Sequence, residues 1–177
     1  MNLQLALSQR IHKEEAQAIA AYIGKDPARF AQLIDLVLGK DEAPAKYGSW
    51  IIAHVMEKHP HLIHPHLEAI LAYMDSSDTT ETILRGIVKA LAEAGDLPEE
   101  LQGGILQHCF DLLLDPKTPV AIQVHAMQTI FNISKPEPDL LRELCEVLQE
   151  GMRYGSGAYQ ARAKRILKEI GKLHPDL

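Results

Sequence analysis

Asp115-Pro116-Lys117-Thr118-Pro119-Val120-Ala121-Ile122-Gln123-Val124-His125-Ala126-Met127-Gln128-Thr129-Ile130 is the stretch that decides the fold class. Two prolines open it, and the next is Pro136. Proline fixes φ and lacks an N–H, so a helix accepts it in the first turn and excludes it from the interior. Ile122, Ala126, Ile130 and Ile133 then recur at the spacing of one helical face. The same grammar extends in both directions. Ile83, Ile87, Ala90, Leu91 and Ala94 form one stripe, and Leu140, Leu141, Leu144, Val147 and Leu148 another, with prolines falling between stripes or at their starts. The pattern predicts helices near 12–24, 27–39, 43–58, 64–74, 79–94, 97–114, 119–134, 138–152 and 157–172, preceded by a short N-terminal helix. No stretch alternates as a strand does, so the expected class is all-α.

The stripes repeat. With Ser49, Gly86, Ala126 and Ala163 aligned, the spacings are 37, 40 and 37 residues. Four positions on stand Ala53, Ala90, Ile130 and Leu167. Seven on stand Met56, Glu93, Ile133 and Ile170, where Glu93 breaks the apolar pattern. Ala16, Ala20 and Ile23 join less regularly, 33 residues earlier. A small side chain at a fixed register lets neighbouring helices approach closely. The intervening helices match as well: Ile105, Cys109 and Leu112 precede Leu141, Cys145 and Leu148 by 36 residues. The expectation is about four two-helix repeats and a C-terminal capping helix, forming a single domain over 1–177.

The stretch from Asp115 to Ile130 resembles the first helix of a HEAT repeat. Ile122, Ala126 and Ile130 fill that family's apolar, small and apolar places, while Gln123 stands where Arg is usual. Lys58-His59-Pro60-His61-Leu62-Ile63 and Ser134-Lys135-Pro136-Glu137-Pro138 resemble the turn between a repeat's two helices. The resemblance covers roughly residues 12–172. It implies an armadillo-type α-α superhelix, a solenoid used mostly to bind proteins or peptides on a surface formed by second helices. Gln107, His108 and Asp111 on one second helix, and Arg142, Glu143 and Glu146 on the next, are the expected partner-binding positions. Arg162 and Arg165 on the last helix are further candidates, for an acidic partner.

Composition limits the alternatives. Of 177 residues, 46% are hydrophobic and 24% charged, the profile of a globular chain. The formal charge of −6 argues against whole-surface attraction to nucleic acid or membrane. It averages an acidic body, −9 over residues 1–158, and a basic end, +3 over 159–177. No apolar run reaches the ~18 residues of a membrane span, and Met1–Arg10 lacks a signal peptide's basic region and cleavage site. A cytoplasmic location is expected. Some HEAT-like proteins are DNA glycosylases that grip DNA on a basic face, but residues 97–114 carry Glu99, Glu100 and Asp111 and no Lys or Arg.

The remaining chemistry is sparse. His59, His61, His64 and His66, with His54 and Glu57 before them, could bind zinc or nickel as a metal-sensing site. The two prolines and the absence of an HExxH pattern favour a solvated turn. Cys109 and Cys145 occupy equivalent places on successive second helices, too far apart for a disulfide and expected as buried thiols. Ser156, between two glycines, reads as the cap of the last helix. Trp50, beside Ser49, is expected in the core, with Tyr47 and Trp50 as a partner anchor the alternative. No catalytic set and no cofactor are expected. The sequence therefore reads as a non-catalytic interaction protein with a protein or peptide partner, a monomer or weak homo-oligomer.

Overall fold

A computed structural model describes residues 1–76 and 78–176. Among them are ten α-helices, one 3-10 segment and no strand. The helices are α1 (Leu3–Leu7), α2 (Lys13–Ile23), α3 (Pro27–Val37), α4 (Glu42–Met56), α5 (Leu67–Met74), α6 (Glu81–Glu93), α7 (Glu99–Leu114), α8 (Val120–Ser134), α9 (Pro138–Gly151) and α10 (Gly157–Leu173). Local chemistry sets their starts. Pro27 and Pro138 occupy first-turn positions of α3 and α9, and Pro98 and Pro119 directly precede α7 and α8. The Asp26 carboxylate accepts from the N–H groups of Ala28 and Arg29. Ser156 caps α10 as expected, its hydroxyl accepting from Tyr159 N. The all-α class and the α-α solenoid repeat hold.

One boundary differs. The helix expected over 64–74 begins at Leu67, and Pro60–His66 forms a 3-10 segment. Pro65 restricts the residue before it and supplies no N–H, so regular α-geometry starts only beyond it. No helix among the described residues is long and apolar enough to cross a membrane.

Internal contacts divide the chain into two compact units, Met1–Gly95 and Asp96–Leu177. In the first, α4 is the central helix, packed against α1, α2, α3, α6 and the 3-10 segment. Its Ile51, Ile52, Val55 and Met56 are buried, as are Phe30, Leu33, Ile34 and Val37 of α3. Burial of each such side chain contributes about 1.5–3 kcal/mol. The repeat register marks a real crossing: a Cβ added at Gly86 of α6 would stand 2.6 Å from the carbonyl oxygen of Ser49 on α4. Gly48 plays the same part toward α3, where an added Cβ would meet Val37 Cγ2 at 2.6 Å. Trp50 is not in the core. It is 37% exposed and its ring meets His54 at a tilt, with ring centroids 5.6 Å apart. One residue beyond Ser49 is a rotation of about 100°, enough to leave the buried face.

In the second unit, α8 packs against α7, α9 and α10. Ala126 and Ala163, the aligned small residues, are fully buried, and Ile130, Ile166 and Ile170 are buried as well. The α9–α10 connection closes on Tyr159. Its ring lies against Gly151 and Gly155, where an added Cβ would collide with it.

Candidate functional site

The second helices of the latter unit, α7 and α9, carry six of the eight nominated positions. On α7, Ile105, Cys109 and Leu113 turn inward, and on α9, Leu141, Leu144 and Leu148 do. That leaves Gln107, Asp111, Arg142, Glu143 and Glu146 exposed and His108 half-buried. Gln107 Nε2 donates to Asp111 Oδ1 at 2.9 Å. Arg142 Nη1 lies 2.8 Å from Asp139 Oδ1, so its charge is matched on its own helix. Glu143 and Glu146 leave this surface acidic. Burial, then the Glu146 carboxylate, raises the Cys145 thiol pKa.

At the C-terminal ends of these helices lies a groove that the sequence reading missed. Leu114, Glu146, Val147, Glu150 and Tyr154 line a cavity of about 360 Å³. A second cavity of about 460 Å³, lined in part by Pro116, Val120 and Gln123, shares Leu113, Leu114 and Tyr154 with it. Leu114 is 60% exposed and Tyr154 85%, and the two lie together in the groove. A tyrosine in a glycine-rich turn directly after an amphipathic helix was the available signal. Its meaning depends on the end of α7, some 40 residues away.

The last two nominees separate. Arg162 is half-buried and its Nη1 donates to Gln128 Oε1 at 2.9 Å, tying α10 to α8. Burial, then the neighbouring Arg165, lowers its pKa. Arg165 is exposed, as are Lys164 and Lys168. The charge excess of the last helix therefore rests on these three more than on Arg162.

The histidine segment disperses its rings. His64 Nε2 lies 3.2 Å from Ala94 O, and His66 packs on Phe30 with centroids 5.8 Å apart. Burial lowers the His66 pKa, with Asp35 opposing. His59 and His61 meet edge to face at 6.4 Å. No group of three His, Cys, Asp or Glu side chains among the described residues is placed to hold a metal. Both cysteines are free: Cys109 is buried as expected, its pKa pushed up to about 12 chiefly by burial, while Cys145 is only partly buried.

A half-buried polar cluster lies where α4 and α6 end. Lys89 Nζ is 3.8 Å from Glu93 and 3.9 Å from Glu57, and His54 Nδ1 is 3.9 Å from Glu57. His54 Nε2 and Glu93 Oε2 are buried and find no hydrogen-bond partner in the protein. Burial raises the Glu93 pKa; Lys89 opposes this and Glu57 adds to it. The residue that breaks the repeat pattern is thus a strained electrostatic point within the first unit.

A family model described as HEAT repeat domain matches residues 3–170. No curated protein matches the chain. Two crystal structures of engineered proteins, both targets of the Northeast Structural Genomics Consortium, share its fold. One has a TM-score of 0.62 and 18% identity, covering 97% of this chain and 80% of that one. The other has 0.63 and 18%, covering 96% and 81%.

Proposed function

The chain belongs to the HEAT-repeat family, and on that premise we propose that it is a non-catalytic scaffold binding a protein or peptide partner. The binding surface is the exposed side of α7 and α9, with Glu143 and Glu146 at its centre. One observation carries this: Leu114 and Tyr154 stand 60% and 85% exposed beside the Glu146 carboxylate, in a groove with room for side chains. Interfaces draw their energy from a few aromatic and aliphatic anchors inside a polar rim. The two free thiols suit the reducing conditions of the cytoplasm.

A photo-cross-linking amino acid placed at Glu143, compared with one at Glu14 on α2, tests the surface. In native extract the 143 position is expected to give a discrete adduct that Tyr154→Ala weakens about tenfold or more, the scale of an anchor residue. Equal labelling from both positions, or none from 143, refutes this reading.

A further inference from the structure

The cations of α10 and the acids of α9 follow one spacing. Arg165, Lys168 and Lys172 stand three and four residues apart along α10, and Glu143, Glu146 and Glu150 stand three and four apart along α9. All six are exposed. Steps of three and four keep a row on one side of a helix, so each helix presents a row of like charge, flanked by Arg142 and Arg153 beside the α9 row and by Glu169 beside the α10 row. An exposed apolar pair lies beyond the acidic row: Tyr154 stands four residues past Glu150, with Leu114 across the groove.

We propose that the acidic α9 face receives the basic α10 face of a second copy of this chain. The two helices would run parallel, pairing Glu143 with Arg165, Glu146 with Lys168 and Glu150 with Lys172. This rests on the reading of the α9 surface as a docking surface and names its occupant. One copy cannot make the match itself. His174 Nε2 lies 3.4 Å from Lys135 O, which places the end of α10 at the C-terminal end of α8. The groove includes Val120 and Gln123 at the other end of that helix. Its 15 residues span about 22 Å.

Glu150 already pairs with Arg153 at 2.8 Å and Lys172 with Glu169 at 2.7 Å, so Glu143–Arg165 and Glu146–Lys168 carry most of the attraction. Ion pairs at an exposed surface are individually weak and screened by salt. The association is therefore weak and salt-sensitive. Because it joins two different faces, it builds open chains unless the rotation closes into a ring.

Sedimentation of the full chain up to ~1 mM, a range that populates millimolar complexes, tests this. In low salt the average mass is expected to rise with concentration, and at ~1 M salt, where the screening length is about 3 Å, to return to the monomer's. Glu143→Lys with Glu146→Lys, and separately Arg165→Glu with Lys168→Glu, are each expected to be monomeric. Their equimolar mixture is expected to associate again, since each supplies the face the other lacks. Circular dichroism confirms that both variants are folded. A wild-type chain monomeric throughout, or association unchanged in either variant, overturns the self-docking proposal. A foreign adduct from position 143 in such a monomeric protein would leave the scaffold reading standing.

Discussion

Two helix crossings at the same repeat register are built differently. In the first unit α6 lies on α4 with Gly86 against the backbone of Ser49, so that one added carbon finds an oxygen at 2.6 Å. In the second, α8 and α10 bury Ala126 and Ala163 completely, each with its methyl group accommodated. Seven residues on, the first unit places Glu93 where the second has Ile133 and Ile170. The tighter crossing leaves no space for a side chain at the register position and tolerates a charge at its end. The looser one is apolar at that same place. A fixed repeat spacing thus does not impose a fixed separation, and the size of one residue adjusts it.

The largest effect should come from Gly86→Val. Exchanging a mid-helix glycine normally gains up to about 1 kcal/mol, but here the branched side chain meets backbone that cannot move aside. We expect a loss of about 3 kcal/mol or more in urea melts. A neutral result would show the crossing to be slack and the contrast void. Ala126→Leu in the other unit is expected to lose roughly 1–3 kcal/mol, because it overpacks a completely buried position. Unchanged stability there would displace the register itself.

Glu93→Gln sharpens the comparison through pH. A carboxyl group whose folded pKa lies above its unfolded value makes the folded state less stable as pH rises from about 4.5 through the raised folded value. The glutamine variant is free of that penalty. It should exceed wild type at neutral pH by under about 1 kcal/mol, and the gain should vanish as pH falls toward 4.5, the ordinary value. A pH-independent difference would mean that Lys89 compensates the charge in full. The smallest effect belongs to Tyr154→Ala, within about 0.5 kcal/mol for so exposed a residue. A larger loss would make Tyr154 part of the fold and remove it from the groove as an anchor.

Much of this was legible from proline placement and the apolar stripes, because both act within one helix. Pro27, Pro98, Pro119 and Pro138 mark helix starts to within a residue. The alignment of Ser49 with Gly86 located a crossing because a small residue is a local signal with a tertiary cause. The departures share one origin. Whether Trp50 reaches solvent depends on the angle at which α4 meets its neighbours, and a single position along a helix is enough to reverse the expectation. Arg162 looked like a free cation until Gln128 of α8, 34 residues away, supplied its acceptor. The groove depends on two helix ends and a turn meeting, which no periodicity encodes. Glu93 was visible as an exception, but not as a half-buried charge with one oxygen unpartnered.

The exposed position of Trp50 has an optical consequence. It is the sole tryptophan, so indole emission reports on the unit containing α4 and is blind to residues 96–177. Far-ultraviolet dichroism counts helices from both units. Melting curves recorded by the two signals will superpose if the chain unfolds in one cooperative step and separate if it does not. The molecule thus carries its own label for asking whether a repeat array melts as one body.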